Sequence, residues 1–286
     1  GGDLHIFRHV LDPKYVSHFF SSTHFQNQKS KFISGAKVRR ISSTNLSKIR
    51  IPVPPIEIQR EIVLILDKFV KLEAELEAEL DLRQKQYKYY LELLLTVAEY
   101  APQVRLGDIS KIVRGASPRP IYKFLAQDSG GIPWIKIGDV PANGKYVTKT
   151  EQFITPDGVA RSRRIHPGDF LLSNSMSFGR PYISNIDGCI HDGWLAIRKF
   201  QDTFSPDYLY YALRSAKVQQ EFESRAGSST VKNLNADIVR SISIPAPPRQ
   251  EQDRIVEILN LFDVLVSDIS LGLPAEIAAR RQQYEY

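Results

Sequence analysis

The longest helical pattern in the chain occupies residues 56–97, which read IEIQREIVLILDKFVKLEAELEAELDLRQKQYKYYLELLLTV. This stretch contains neither Gly nor Pro and is rich in Glu, Leu, Ala, Lys and Gln, which are good helix formers. Its apolar residues recur at alternating steps of four and three, and this heptad pattern predicts pairing with another helix. The heptad core positions are Ile62, Leu66, Phe69, Leu76, Leu80, Tyr87, Tyr90 and Leu94. Glu73 and Arg83 interrupt them. About 40 residues at a rise of roughly 1.5 Å make a helix of about 60 Å, which we interpret as a spacer.

The chain also contains an internal duplication with an offset of 193 residues, the distance from Pro52 to Pro245. Residues 51–55 (IPVPP) align with residues 244–248 (IPAPP), and the alignment continues into the helical stretch that follows each proline segment. The register slips by four residues beside Gly272 and Pro274, so we expect a short insertion in the second copy. The heptad core positions of the second helix are Ile255, Leu259 and Phe262. The duplication predicts two modules, each a domain followed by a long helix.

The duplication divides the chain into four segments. Residues 1–55 form the C-terminal part of a first domain, and residues 56–100 form a spacer helix. Residues 101–247 form a complete second domain, and residues 248–286 form a second spacer helix. Because the first copy starts well inside the module, we expect the first domain to be truncated or to be completed by another chain.

The second domain has the pattern of an α+β fold. Short strand patterns occur at residues 132–137, 170–173, 182–186 and 192–197, separated by turn sequences, and helical patterns follow only near the end. Trp134 and Trp194 lie on these alternating strands, and we interpret both as core residues rather than as platforms for base stacking.

Composition narrows the functional class. The chain has 286 residues and one cysteine, Cys189, so an internal disulfide framework is excluded and a reducing cytoplasm fits. No apolar run is long enough for a membrane span, and residues 1–5 (GGDLH) do not resemble a signal peptide.

The positive charge of the chain is concentrated in one region. Residues 104–200 contain 14 Lys and Arg against 8 Asp and Glu, which accounts for the whole net charge of +6. Such a concentration predicts contact with phosphate, and a mildly basic solvated surface is the alternative that charge alone leaves open.

Several motifs together resemble a known family. They are the repeated domain-plus-helix modules, the Pro-x-Pro-Pro entry to each helix followed by a glutamine, the LGD of residues 106–108, the PWI of residues 133–135 and the LLSNS of residues 171–175. This combination resembles the specificity subunit of type I restriction-modification systems, and the resemblance spans nearly the whole chain.

The resemblance implies both a fold and a function. In that family each globular unit is a target recognition domain that reads half of a split DNA site, and the two long helices pair as an antiparallel coiled coil that sets the spacer. The subunit is not an enzyme by itself and needs no cofactor. It recruits DNA adenine methyltransferase (M) subunits and, with them, restriction (R) subunits.

The residues independently argue against catalysis. An adenine methyltransferase needs an Asn/Asp-Pro-Pro-Tyr/Phe motif to hold the flipped base, and neither Pro-Pro pair of this chain fits it. The Gly144-Lys145 pair lacks the Ser or Thr that ends a phosphate-binding loop. His166 and His191 are isolated, so we interpret them as structural, and we interpret Asp187 and Asp192 as turn residues.

The candidate DNA-binding residues lie in the loops of the second domain, where Arg, Lys, Asn and Ser side chains suit bases and phosphates. A first set is Ser117, Arg119, Tyr122, Lys123, Lys136, Asn143, Lys145, Arg161, Arg163, Arg164, Ser175, Ser177 and Arg180. A second set, in a loop rich in Gly and Ser, is Ser228, Ser229, Thr230, Lys232 and Asn233. For any single one of them, surface solvation explains the residue as well as DNA contact does.

Three functional hypotheses remain open. The first is a DNA-reading specificity subunit with double-stranded DNA and the M and R subunits as partners. The second is a coiled-coil scaffold that binds only proteins, and the third is an enzyme with an unrecognised site. We further expect two chains to associate as a homodimer through the long helices, because a helix without a full partner would expose apolar residues.

Overall fold

The computed structural model describes residue 6 and residues 8–33, 40–126, 130–140, 144–174, 177–226, 233–267 and 271–285. The helices in chain order are α1 (Pro13–Ser21), α2 (Thr23–Ser30), α3 (Ser43–Leu46), α4 (Ile56–Val97), α5 (Leu106–Ile109), α6 (Pro156–Ala160), α7 (Pro206–Arg214), α8 (Ala216–Arg225), α9 (Ala236–Ser241), α10 (Arg249–Ser267) and α11 (Leu273–Glu285). The strands are β1 (Gln103–Arg105), β2 (Lys111–Arg114), β3 (Ile132–Ile135), β4 (Tyr146–Val147), β5 (Gln152–Ile154), β6 (Arg163–Ile165), β7 (Phe170–Ser173), β8 (Pro181–Ser184), β9 (Gly188–Ile190), β10 (Trp194–Arg198) and β11 (Ser243–Pro245). Short 3-10 helices lie at Ala98–Tyr100, Ile121–Lys123 and Ile137–Asp139.

The chain divides into two compact units. The terminal unit contains residues 1–83 and 265–286, and the central unit contains residues 84–264. The division falls inside α4, whereas the duplication places its boundaries at the ends of the helical segments. The four-segment division therefore stays a prediction.

The long helix α4 runs without a break for 42 residues. Pro55 stands directly before it, and no Gly or Pro follows to interrupt the backbone hydrogen bonds. Every predicted heptad core position of α4 is half-buried or buried, and Tyr87 is only 6% exposed. Glu73 and Arg83, which interrupt the apolar pattern, are half-buried as well.

The long helices pair in antiparallel fashion, as expected. In the terminal unit, Arg281 of α11 forms an ion pair with Glu73 of α4. The later residue Tyr284 hydrogen-bonds His18, which in turn bonds Asp67, an earlier residue of α4. The order of contacts along α11 thus runs opposite to the direction of α4.

In the central unit, α10 supplies the aromatic part of the helix contact. The ring of Phe262 stacks on Tyr90 at 5.2 Å between centroids and lies 6.4 Å from the ring of Tyr87. Ile255 and Leu259, the other predicted core positions of this helix, are 1% and 0% exposed.

The C-terminal stretch is not one continuous helix, contrary to the prediction for residues 248–286. Helix α10 ends at Ser267, and α11 begins at Leu273. The break has a local cause, because Pro274 cannot donate a backbone hydrogen bond and Gly272 favours a turn over a helix. The new helix starts with Ala275 donating its N–H to the carbonyl of Gly272 at 3.0 Å.

The two copies of the duplication share the same hydrogen bonds. In the terminal unit, the buried Gln59 side chain accepts from the backbone N–H of Asp12 at 2.9 Å. In the central unit, the equivalent Gln252 accepts from the backbone N–H of Ser205 at 2.8 Å. Each glutamine also donates to a carbonyl of the proline segment before its helix, at 2.8 and 2.9 Å. The glutamine therefore joins the proline segment to the residue that caps α1 in the first copy and α7 in the second.

Two β-sheets form the body of the central unit. The five-stranded sheet has the order β2-β10-β7-β8-β4, and the four-stranded sheet has the order β5-β3-β9-β6. Their facing sides enclose a core that includes Ile135, Ile165, Leu171, Tyr182, Ile190 and Trp194. Helices α7 and α9 contact β8 and β2 of the five-stranded sheet, and α6 contacts the edges of the four-stranded sheet.

The α+β fold class is confirmed by this arrangement. The predicted strand patterns correspond to β3, β7, β8 and β10. Trp134 and Trp194 are 1% and 0% exposed, as a core role requires. A two-stranded ribbon of β1 and β11 brings the start and the end of the domain together.

Candidate nucleic-acid interface

The candidate residues described by the structure all lie in the central unit, but they do not form one uniform surface. Asn143, Ser175, Ser228, Ser229, Thr230 and Lys232 lie outside the described residues. The exposed candidates are Arg119, Tyr122, Lys123, Arg161, Arg163, Arg164 and Asn233. The half-buried candidates are Ser117, Lys136, Lys145, Ser177 and Arg180.

The loop after β2 is irregular yet fixed in place by backbone hydrogen bonds. Gly115 donates its N–H to the carbonyl of Trp194 at 2.8 Å, and Ala116 donates to the carbonyl of Ile190 at 3.2 Å. The hydroxyl of Ser162 donates to the carbonyl of Ala116 at 2.8 Å. The loop therefore leaves the sheet at a defined point and carries Arg119, whose side chain is 82% exposed, to the surface.

Replacing Gly115 by Ala is expected to disturb this loop, because an added Cβ would lie 2.1 Å from the carbonyl oxygen of His191. Backbone cannot yield as a flexible side chain can, so we expect a loss of about 1–3 kcal/mol in the free energy of unfolding. Gly138→Ala is the matched control, since nothing lies within 4 Å of its added Cβ. Urea unfolding of both variants measures the difference. Equal midpoints for Gly115→Ala and the wild type would contradict the described packing.

Asp192 is the centre of the hydrogen bonds at this end of the central unit. One carboxylate oxygen, Oδ1, accepts from the hydroxyl of Ser117 at 2.8 Å and lies 2.9 Å from Nε2 of His191. The backbone carbonyl of Asp192 accepts from the side-chain amide of Asn174 at 2.8 Å. Burial would raise the pKa of this carboxyl, but the bond from Ser117 and the neighbouring His191 and Arg119 outweigh burial and hold the pKa below its usual value. Asp192 is therefore a carboxylate at neutral pH.

A cavity of about 380 Å³ lies beside Asp192. Its lining is Ser117, Pro118, Arg119, Ile121, Trp134, Lys136, Gln152, His191 and Asp192. Trp134 of β3 stands directly opposite Gln152 of β5 in the strand register, so their side chains share one face of the sheet. The ring of Trp134 contacts His191 edge to face at 6.0 Å between centroids. The cavity thus combines an aromatic floor with hydrogen-bonding walls and a cationic rim.

Arginines cluster at the end of the four-stranded sheet. Arg163 and Arg164 lie on β6, the terminal strand of the sheet, and both are exposed. Successive residues of a strand point to opposite faces, so these two guanidinium groups cover both sides of the edge. Arg161 precedes them and stacks over the ring of Phe124 at 5.1 Å. An exposed cluster of cations suits phosphate contacts, because binding to phosphate depends on positive charge and does not require one fixed side-chain geometry.

Lys145 has surroundings unlike those of the other candidates. Its side chain is only 11% exposed and forms an ion pair with Asp207 at 2.6 Å. The ammonium group lies 4.9 Å from the ring centroids of both Tyr210 and Tyr211 and 3.3 Å from the side-chain oxygen of Asn260. These contacts connect the loop before β4 to α7 and α10, so we leave Lys145 out of the candidate interface.

Sequence reasoning does not identify three polar side chains of the cavity wall as binding residues, namely Gln152, His191 and Asp192. Gln152 has no local sequence signal, and the patterns around His191 and Asp192 indicate a structural residue and a turn residue. Asp192 does lie in a turn, but the turn also holds Ser117, from a loop 75 residues earlier in the chain. The available signal is a pair of polar residues, His191 and Asp192, between a buried strand and a Gly-Trp pair.

Two classes of site are absent from the described parts of the chain. No three His, Cys, Asp or Glu side chains come together there in a group that could hold a metal ion. None of the described helices is both long enough and apolar enough to cross a membrane.

Comparison with known proteins gives the family. A family model described as the type I restriction modification DNA specificity domain matches residues 7–82 and 101–279. A putative type I restriction enzyme specificity subunit of Haemophilus influenzae is 31% identical over 296 residues, covering 96% of this chain and 71% of that protein. A type I restriction enzyme specificity subunit of Escherichia coli is 33% identical over 288 residues, covering 96% of this chain and 69% of that protein.

Solved structures share the fold. A chain from a study of complex assembly and conformational transition of the type I restriction-modification system matches with a TM-score of 0.68 at 23% identity, covering 96% of this chain and 69% of that one. The HsdS subunit from Thermoanaerobacter tengcongensis matches with a TM-score of 0.52 at 22% identity, covering 96% of this chain and 68% of that one.

An α+β domain with exposed arginines, joined to paired long helices, is the arrangement of a recognition protein. The chain belongs to the type I restriction-modification DNA specificity family. Membership confirms the resemblance seen in the sequence and implies DNA and the methyltransferase and restriction subunits as partners.

Proposed function

We propose that the central unit binds double-stranded DNA at the face formed by the loop after β2, the cavity beside Asp192 and the arginines around β6. One half of a split target is read there, and the long helices set the distance to the other half. The adenine methyltransferase and restriction subunits supply the chemistry, so the chain acts with its DNA in the cytoplasm and takes no cofactor.

The observation that carries this proposal is the presence of exposed cations around a fixed cavity. Arg119 stands on a loop that backbone hydrogen bonds hold in place, and Lys136 and Gln152 line the cavity beside it. Phosphate contacts position a protein on the duplex, while amide, carboxylate and guanidinium groups in a fixed geometry can discriminate between base edges. Exposed charge and fixed polar groups are thus available on the same unit.

We further propose that two chains associate through α4. Ile58, Ile65 and Leu72 recur every seven residues on this helix and are 43%, 54% and 43% exposed. A heptad of exposed apolar residues favours a second helix as its cover. Sedimentation equilibrium at micromolar concentration is expected to give a dimer for the wild type and a monomer for the triple variant with Glu at these positions. A wild-type monomer would contradict this association.

The DNA-binding proposal is tested by a mobility-shift assay with the purified chain at two salt concentrations. We expect binding to duplex DNA that weakens steeply between about 50 mM and about 200 mM salt, because binding releases counterions from phosphate. No binding even at the lower salt concentration would favour the alternative of a scaffold that binds only proteins. Adenine methylation by the chain alone, with S-adenosylmethionine present, would revive the alternative of an enzyme.

A further inference from the structure

A carboxylate at the centre of a DNA-binding face is unexpected, because it repels phosphate. Asp192 nevertheless borders the cavity with Arg119 and Lys136. Its Oδ1 atom already accepts a hydrogen bond from the hydroxyl of Ser117 at 2.8 Å and lies 2.9 Å from Nε2 of His191. Within the described part of the chain, the contact to Oδ2 is a long one of 3.4 Å from Arg119, a side chain that is itself 82% exposed. Oδ2 therefore keeps capacity to accept a further hydrogen bond.

The hydrogen bonds around Asp192 fix the direction of this carboxylate. Nδ1 of His191 accepts the backbone N–H of Gly193 at 2.9 Å, so the neutral ring carries its proton on Nε2, which faces Asp192. The backbone carbonyl of Asp192 is held by Asn174 at 2.8 Å and by Arg114 at 3.2 Å. With its backbone and Oδ1 both held, the carboxylate does not need to be ordered by a ligand.

We propose that Asp192 is a specificity-determining residue that accepts a hydrogen bond, through Oδ2, from the exocyclic amino group of a base in the major groove. Cytosine N4 and adenine N6 are the amino groups presented there, and a carboxylate accepts from such a donor while rejecting the keto oxygens of guanine and thymine. This inference rests on the proposed DNA-binding function of the central unit. The competing role, in which Asp192 only orders the loop, predicts no base preference.

The test uses Asp192→Asn, because this change replaces the Oδ2 acceptor by an NH₂ group and keeps an oxygen at the Oδ1 position for the hydrogen bonds from Ser117 and His191. The amide oxygen of Asn can still accept from Ser117 and His191, while its NH₂ group replaces the outward acceptor by a donor. Wild type and variant are each used to select duplexes from a randomised library. We expect the preferred base at one position to change from cytosine or adenine to guanine or thymine, with a change in preference of about 10-fold. Asp187→Asn, a change at an exposed acid paired with His166, is the matched control and is expected to select the wild-type motif.

A second measurement alters the DNA and so does not depend on the folding of a variant. The amino group is removed from individual bases of the selected motif, by replacing adenine with purine or cytosine with pyrimidin-2-one. We expect one such replacement to weaken wild-type binding by about 10-fold and not to weaken binding by Asp192→Asn.

The outcomes separate this proposal from the proposed function. An unchanged motif with uniformly weaker binding by Asp192→Asn would overturn the role of Asp192 in reading a base and leave DNA recognition by the central unit intact. If removing amino groups also had no effect at any position, the same conclusion would follow. If the wild type selected no motif at all, the proposed function and this inference would both be overturned.

Discussion

Replacing Asp207 by Asn is expected to lower the free energy of unfolding by about 2 kcal/mol, because the change leaves the ammonium of Lys145 without its ion partner. Lys145 is 11% exposed, whereas Asp207 is 37% exposed. Breaking a fully buried ion pair costs about 3–5 kcal/mol, and the partial exposure of Asp207 reduces that figure. Chemical denaturation of the purified protein gives the measurement.

The double variant Lys145→Met/Asp207→Asn provides the control. Removing both charges leaves an apolar side chain beside the rings of Tyr210 and Tyr211, and we expect stability to recover to within about 1 kcal/mol of the wild type. The double variant should also retain the salt dependence of DNA binding. A shallower salt dependence with unchanged stability would instead assign Lys145 to a phosphate contact, in line with its place among the sequence candidates.

Removing the three arginines around β6 is expected to have the largest effect on DNA affinity. The variant Arg161→Ala/Arg163→Ala/Arg164→Ala loses three exposed cations of the central unit. Each cation that meets a phosphate adds about 0.9 to the slope of the logarithm of affinity against the logarithm of salt concentration. We therefore expect the slope to fall by about 1–3 and the affinity at moderate salt to fall by about 10-fold to about 100-fold.

A charge-matched control separates local contact from net charge. Lys68, Lys71 and Lys88 are exposed residues of α4 and belong to no strand, and their replacement by Ala removes the same amount of charge. We expect this control to bind DNA within about threefold of the wild type, because none of these lysines belongs to the proposed DNA-binding face and charges that do not contact the DNA are largely screened by salt. Equal losses in the two triple variants would show that the arginines act only through net charge.

Local sequence patterns predicted the helical framework well. A run from Ile56 to Val97 without Gly or Pro has few alternatives to a helix, and its heptad spacing indicates a helical partner. The duplication was equally informative, since residues such as Gln59 and Gln252 make equivalent hydrogen bonds in the two copies. The break after Ser267 was harder to place, because the sequence located an insertion near Gly272 but did not show that the helix stops there.

The polar site could not be predicted to the same depth, because its partners are distant in sequence. Lys145 belongs to a loop with a glycine, as a phosphate-binding lysine often does, yet Asp207 and Tyr211 surround it from another part of the chain. The local sequence around Asp192 is that of an ordinary turn, and its hydrogen bond from Ser117 depends on the fold. Only the fold brings such residues together, whereas the heptad positions and the buried tryptophans follow from patterns within a few residues.

The most direct test of sequence recognition uses the chain together with an adenine methyltransferase subunit. DNA methylated by this pair is sequenced, and the methylated adenines are compared with those produced when either protein is omitted. We expect methylation at one recurring split motif with the pair and none with either protein alone. Methylation of the same motif without this chain, or methylation by this chain alone, would contradict the conclusion that this chain supplies sequence recognition and that the methyltransferase subunit catalyses the reaction.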